Sequence, residues 1–305
     1  MAENLNREAP QVSVVIASIV GAPFIDDCLR SLEKQATELP AEVIVVACGT
    51  AAYADRIARL FPWVRLVHRP QRETIPQLRR SGVELARGEI VAIIEEHCLA
   101  APDWLVQVCE GHAKGYYGAV GGPVADYSYT RLRDWVVYFC EYNGSFPPAE
   151  NGEVTELNGA NIAYRREVLC ANKELLAAGY WEASLHPVLL AKGIRFLSVP
   201  KMVVHHRGPF NYAYYLKQRF WFSRAFAGHR GRNMAGSGKL IYSIAAPLIP
   251  FVLLARMAKR VYEKRCHMGN FVQTLPLLLP ALIVYVAGEW VGYMSGPGNA
   301  LSKVE

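Results

Sequence analysis

The chain has 305 residues, enough for one large domain or two ordinary ones. It is 52% hydrophobic and 20% charged, with a net charge of +6. That balance excludes a disordered chain, and the first 235 residues lack the charge-free run of about 18 that a polytopic transporter needs.

From Val12 to Ile94, short apolar runs alternate with amphipathic ones. VSVVIA (12–17), EVIVVA (42–47), VRLV (64–67) and EIVAII (89–94) read as strands. FIDDCLRSLEKQ (24–35) places Phe24, Cys28, Leu29 and Leu32 on one helical stripe, and ADRIARLF (54–61) is a short helix. TIPQLRRSGVELARG (74–88) is a helix with Thr74 to cap it, Pro76 in its first turn and Gly88 to end it. The strands do not alternate in polarity, as expected when helices cover both faces of a largely parallel sheet. Open sheets of this kind bind ligands at the C-terminal ends of their strands. Here those ends are Ala17–Gly21, Ala47–Thr50 and Glu95–Cys98.

Residues 103–206 are mixed. PDWLVQVCEGHA predicts a helix, GAVGGPVA a glycine-rich strand or turn, and RLRDWVVYFCEY an amphipathic segment. LNGANIAYRREVL reads as a Gly/Asn turn entering a helix, WEASLHPVLLAKG as a helix ended by Gly193, and FLSVPKMVVHH as one or two strands. No linker interrupts this stretch, so a first domain is placed at 1–208.

From Pro209 the character changes. NYAYYLKQRFWFSRAFAGHRGR is aromatic and basic, and residues 209–238 are read as an interfacial helix rather than a core-packed one. Residues 239–305 carry two uncharged runs, with helices expected at about 240–256 and 271–293. The first spans only about 24 Å before Arg256, short of a bilayer core of roughly 30 Å. The second crosses if it continues through Trp290 and Tyr293. Between them lies the basic stretch RMAKRVYEKRCHMG. Either both runs span and this stretch lies outside, against the positive-inside tendency, or the first is a proline-bent re-entrant segment. Two buried helices of a soluble domain are the third reading. The excess positive charge beside these runs favours anionic headgroups over nucleic acid. The polar start MAENLNREAPQ carries no secretory signal, and seven scattered cysteines read as reduced thiols. The expected location is the inner or plasma membrane with any catalytic part on the cytoplasmic face, and the C-terminal helices are a candidate homo-oligomer contact.

The segment IIEEHCLAAPDWL (93–105) carries the strongest chemical signal. Two carboxylates and an imidazole at a buried strand end are costly to desolvate unless compensated, and a divalent cation would compensate them. The loop Ser18-Ile19-Val20-Gly21 lacks G-x-G-x-x-G, which argues against a dinucleotide-binding dehydrogenase.

The short first strand, the IVV strand, the T-x-x-x-x-R-R-x-G-x-x-x-A-x-G helix and the strand followed by an acidic triplet and P-D-W-L together resemble family 2 glycosyltransferases of the GT-A fold, over about residues 11–228. The resemblance implies an α/β fold with a mainly parallel, nucleotide-sugar-binding sheet and C-terminal membrane-associated helices. Glu95-Glu96-His97 matches the D-x-D-type triplet, with a departure in residue type. ACGT (47–50) stands where the family usually has D-D-G-S, so an aspartate that commonly contacts the nucleobase is missing. Asn158-Gly159-Ala160-Asn161 with Arg165-Arg166 resembles the segment lining the donor and acceptor cleft. Glu182 occupies the general-base position, with Trp181 in place of the usual acidic neighbour, and His205-His206 resembles a late histidine near the diphosphate. Gln218-Arg219-Phe220-Trp221 is only faintly similar to the Q-x-x-R-W segment of processive members.

The implied donor-binding residues are Ala17, Ser18, Cys48, Arg79, Arg80, Glu95, Glu96, Asn161 and Arg165. The implied metal ligands are Glu96, His97 and His205, for Mn²⁺ or Mg²⁺. The implied activity is inverting transfer from a nucleotide-sugar donor to a membrane-associated, lipid-linked or glycan acceptor, with membrane lipids as partners and no nucleic acid. The alternative is a catalytically inactive membrane scaffold of the same fold.

Overall fold

The computed structural model describes residues 9–304 apart from 20, 128, 209, 210 and 233. Most of the polar N-terminus and Val20 of the first loop therefore lie outside the described residues.

The expected alternation is present: β1 (Val12–Ser18), α1 (Phe24–Glu38), β2 (Ala41–Cys48), α2 (Ala51–Leu60), β3 (Arg65–Arg69), α3 (Ile75–Leu85) and β4 (Ile90–Ile94). Thr74 caps α3 through a reciprocal box, its Oγ1 accepting from the Gln77 N–H while Gln77 Oε1 accepts from the Thr74 N–H at 2.8 Å. The helix stops at Leu85, before Gly88. A Cβ on Gly88 would lie 2.7 Å from the Ser13 backbone nitrogen, so this glycine serves a close approach to β1 rather than a helix end.

After β4 come β5 (Cys98–Ala100), α4 (Trp104–Ala113), β6 (Ala119–Gly121), β7 (Val124–Asp126), α5 (Leu132–Tyr142), β8 (Gly152–Val154), β9 (Asn161–Arg165), α6 (Arg166–Cys170), α7 (Trp181–Ser184), α8 (His186–Ala191), β10 (Phe196–Ser198) and β11 (Val204–His206). The main sheet has the order β3-β2-β1-β4-β9-β6-β10-β8, and β5-β11-β7 form a small second sheet. β9 and β8 are reversed and the other six strands of the main sheet run one way, giving a mostly parallel α/β sheet. β1, the last six residues of β2, and β4 are wholly buried, the burial that their unalternating apolar runs predict.

The chain divides into two compact units, 1–125 with 149–206, and 126–148 with 207–305. Besides the residues from 207 onward, the second unit takes in α5. Its remaining helices are α9 (Tyr212–Arg230), α10 (Gly236–Ala245), α11 (Ile249–Lys264) and α12 (Met268–Ser295). Among the described residues α12 is the one helix long and apolar enough to cross a membrane, while α10 and α11 are bent by 74° where Pro247 and Pro250 break the run. α9 and α12 pack side by side and parallel: Tyr212 meets Leu277, Phe220 meets Gly288, Arg224 meets Gly292, and Gly228 meets Pro297. Small residues permit that approach. Two ion pairs tie the unit together, Arg219 with Glu141 and Arg230 with Glu289, each at 2.8 Å.

Candidate active site

The C-terminal ends of β1, β2 and β4 lie side by side in the first unit. Beyond β4 the chain turns at once: the Cys98 N–H donates to the Glu95 carbonyl at 2.9 Å, closing a turn over Glu95–Cys98. The turn sends Glu95 and Glu96 to different neighbours. Glu95 faces α3 and His97, accepting from Arg79 Nη2 at 3.3 Å and lying 3.1 Å from His97 Nε2. Glu96 is 3% exposed and faces the loop after β1. Its carboxylate accepts from Ser18 Oγ at 2.6 Å, the Ile19 N–H at 2.8 Å and the Gly21 N–H at 2.9 Å.

Burial alone would raise the Glu95 pKa. The hydrogen bond from His97, then the charges of His97 and Arg79, overcome that and hold it at about 2. His206 is fully buried, edge-on to His97 with ring centroids 4.9 Å apart, and burial keeps it neutral with its pKa well below 6.5. Ligand atoms of Glu95, His97 and Cys98 lie within 4.8 Å of one another. Cys98 is buried and burial pushes its thiol well above 9; its soft sulfur suits zinc better than Mn²⁺ or Mg²⁺. What remains is one carboxylate and one imidazole, both partly exposed. This donor set fits an ion that accepts oxygen and nitrogen together, such as Mn²⁺, better than the all-oxygen shell that Mg²⁺ prefers.

Arg79, 4% exposed, extends this cluster. The Nη2 group that reaches Glu95 also donates to the Gly159 carbonyl at 3.1 Å, and the Gly159 N–H donates to Glu182 Oε1 at 2.8 Å. A Cβ on Gly159 would lie 2.4 Å from Glu182 Oε1 and 3.1 Å from Arg79 Nη1, so a side chain here would push both groups from their places. Trp181, fully buried with its ring under the Arg79 guanidinium at 5.9 Å, fixes the helical turn that carries Glu182. A cation, two carboxylates and an imidazole are thus gathered on one side of the strand ends.

Other expected site residues fall elsewhere. Glu96 and His205 were expected beside His97 as ligands. Beside His97 stand Glu95, 3.1 Å from its Nε2, and His206, edge-on to its ring, while Glu96 faces the loop after β1. Arg80, next to Arg79 on α3, points outward to Glu84 at 2.7 Å. Asn161 is fully buried, its amide donating to the carbonyls of Pro123 and Met202 and its oxygen accepting from Trp104 Nε1, so its side chain is consumed by the fold. β9 runs antiparallel to β4, pairing Arg165 with Ile90 at the opposite end from Glu95. There Arg165 binds the carbonyls of Tyr117, His112 and Gly115. Ala17, Ser18 and Cys48 do sit at strand ends, and the Cys48 thiol donates to the Gln71 carbonyl at 3.2 Å.

The model of the family described as "Glycosyl transferase family 2" matches residues 13–170. Among curated proteins, the chain is 30% identical over 105 residues to "Putative glycosyltransferase EpsH" of Bacillus subtilis, covering 33% of this chain and 30% of that one. It is 29% identical over 173 residues to "Glucosyl-dolichyl phosphate glucuronosyltransferase" of Haloferax volcanii, covering 52% and 53%. It therefore spans about 30% of the length of the first relative and about half that of the second. Among solved structures, a mannosyltransferase from Pyrobaculum calidifontis in complex with GDP-Man and Mn²⁺ has a TM-score of 0.60 at 18% identity, covering 94% of this chain and 88% of that one. TarS residues 1–349 of S. aureus has a TM-score of 0.50 at 13% identity, covering 92% and 90%. Both likenesses are of fold.

Proposed function

Since the chain belongs to glycosyl transferase family 2, we propose that it moves a sugar from a nucleotide-sugar donor to a membrane-associated acceptor, lipid-linked or glycan, with inversion at the anomeric carbon. The observation that carries this reading is the single network Glu95–Arg79–Gly159–Glu182 at the strand ends. It joins an anionic ligand set suited to a divalent ion to a second carboxylate held on a separate element.

Glu95 and His97 would hold the ion, which neutralises charge on the donor diphosphate. Arg79, fixed between Glu95 and Gly159, adds positive charge beside the leaving group. As the acceptor oxygen bonds to the anomeric carbon, the bond to the diphosphate oxygen breaks and its electron pair leaves with the nucleoside diphosphate. The acceptor proton passes to Glu182 Oε2, since Oε1 is held by the Gly159 N–H. An acceptor that is already an ionised phosphate needs no base, and Glu182 would then only position it.

Membrane attachment is part of the same reading, and it rests on the exposed apolar residues of α10 and α11 and on the basic residues that follow them. We place the catalytic unit on the cytoplasmic side.

The test is a screen of nucleotide sugars for transfer or hydrolysis with Mn²⁺ or Mg²⁺. Glu182→Gln keeps the oxygen that Gly159 binds and removes the base. We expect donor binding to persist while transfer to a hydroxyl acceptor falls by about 10²–10⁴-fold. Undiminished transfer in that variant would point to an ionised acceptor, and no binding of any nucleotide by the wild type would favour an inactive scaffold.

A further inference from the structure

We propose that Glu96 is a positioning residue for the donor nucleotide: a buried carboxylate on which Ser18, Ile19 and Gly21 converge, and not a ligand of the metal. The inference rests on the glycosyltransferase reading for its ligand and on geometry alone for the loop.

Glu96 and Glu95 are adjacent, yet they serve two different walls of the site. Both carboxylate oxygens of Glu96 are occupied on the β1 side, one by the Ile19 N–H and the other by the Gly21 N–H and Ser18 Oγ, all at 2.6–2.9 Å. Backbone N–H groups converging on an anion make a nest, the arrangement that loops use to hold phosphates. Here the anion belongs to the protein, so the loop is set before any ligand arrives. Hydrogen bonds to a carboxylate are about twice as strong as neutral ones, and this carboxylate is out of water.

The anchor reaches a third element. Ser18 Oγ also bonds the hydroxyl of Tyr53 on α2, and the Tyr53 ring lies against Gly21, where a Cβ would come within 3.1 Å of it. Gly21 has φ +83°, a conformation that a side chain would strain. The ends of β1 and β4 and the start of α2 are thus locked through one buried acid. Cys48, at the neighbouring strand end, offers no carboxylate to a nucleobase. Recognition on this side falls to the backbone groups of a loop whose shape Glu96 sets, and pre-organised groups bind at lower entropic cost.

The experiment uses the full chain and Glu96→Gln, with Ser18→Ala and Tyr53→Phe as milder cuts to the same anchor. Hydrogen exchange of the 18–22 segment, without ligand, reads the loop. Calorimetric titration with UDP and GDP, without metal, reads the nucleotide. The Mn²⁺ concentration for half-maximal turnover reads the metal. We expect faster exchange in 18–22, a Kd for the bound nucleotide raised about tenfold, a donor KM raised with kcat within about twofold, and no change in the Mn²⁺ requirement. Unchanged exchange and unchanged Kd in Glu96→Gln would overturn the proposal. So would a raised Mn²⁺ requirement with unchanged nucleotide affinity, which would make Glu96 a metal ligand. Faster exchange in a protein whose wild type binds neither nucleotide would leave the loop anchor standing, while overturning the nucleotide role and the glycosyltransferase reading.

Discussion

Arg79 shows how much of the site depends on the shape of one side chain. Its guanidinium touches Glu95, the Gly159 carbonyl and the face of Trp181 while almost fully buried. A lysine keeps the charge but has neither the fork nor the flat face. Arg79→Lys should therefore lower kcat/KM by about 10²-fold while the protein still folds, which steady-state kinetics and circular dichroism together would check. Wild-type kinetics would remove Arg79 from the site. A second residue-level expectation concerns His112 on α4. Burial first, then the charge of Arg165, lowers its pKa to about 4 from 6.5. The unfolded chain binds more protons than the folded one between these values, so this contribution is complete above pH 6.5 and is lost as pH falls toward 4. A shift of that size corresponds to roughly 3 kcal/mol across the window. Melting temperature should fall as pH drops from 7 to 5, and less steeply in His112→Gln. An identical slope in the variant would show that other groups carry the pH dependence. The sequence shows which acidic, basic and imidazole side chains lie near the strand ends but not how they are oriented. Glu95 and Glu96 are equally acidic on paper, and only the turn at the end of β4 decides which meets His97. In that turn Glu95 lies 3.1 Å from His97 and Glu96 faces the loop after β1. Cys98 carried no comparable signal.

At the scale of elements, the repeating βα half was legible because periodicity, capping and turn residues all agree there. The middle was harder. LNGANIAYRREVL hides β9, five residues between a turn and a helix, and its antiparallel pairing with β4 is what carries Arg165 away from the site. WEASLHPVLLAKG breaks into α7 and α8 around Leu185, with Pro187 near the start of α8. In the second unit the decisive contacts are between helices distant in sequence, and no local pattern announces them. Gly288 is the sharpest case. A Cβ there would lie 2.0 Å from Ser223 Oγ and 2.4 Å from the Phe220 carbonyl oxygen on α9. Overpacking of this kind costs about 1–3 kcal/mol. Gly288→Ala should lower the denaturation midpoint, and adding Ser223→Ala should restore only part of the loss, because the Phe220 carbonyl is backbone and cannot be trimmed. Full recovery in the double variant would show that α9 can shift as a body.

For the whole molecule, the proposed membrane attachment turns on which helices of the second unit would meet the bilayer. Length and composition allow α12 to cross, but α12 does not stand alone. α9 runs parallel along it and carries Lys217, Arg219, Arg224 and Arg230, so a spanning α12 would draw that set toward the hydrocarbon. Each such charge costs about 2.5–3.5 kcal/mol at mid-bilayer even on lenient scales. The bent pair offers a cheaper mode. Leu240, Ile241, Ile244 and Leu248 are each 62–72% exposed, with Phe251 and Val252 beside them, and Arg256, Lys259 and Arg265 follow within a few turns. α10 is 10 residues long, about 15 Å, too short to cross before the 74° bend. An apolar edge followed by cations suits the headgroup boundary of an anionic leaflet, reached from one side. A pocket of about 660 Å³ between Phe220, Pro247, Phe251, Ile283 and Trp290 adds apolar surface to that edge. The protein should therefore float with anionic vesicles, bind neutral ones less, and lose binding when Leu240, Ile244 and Phe251 are changed together to Ser. In a chain whose Cys170 and Cys266 are replaced by Ser, neither Lys259→Cys nor Asn299→Cys should react with an impermeant thiol reagent applied to intact cells. Labelling at Asn299→Cys alone would mean that α12 crosses after all. The energy to bury the charges of α9 would then have to come from the Arg219–Glu141 and Arg230–Glu289 pairs that hold the unit together.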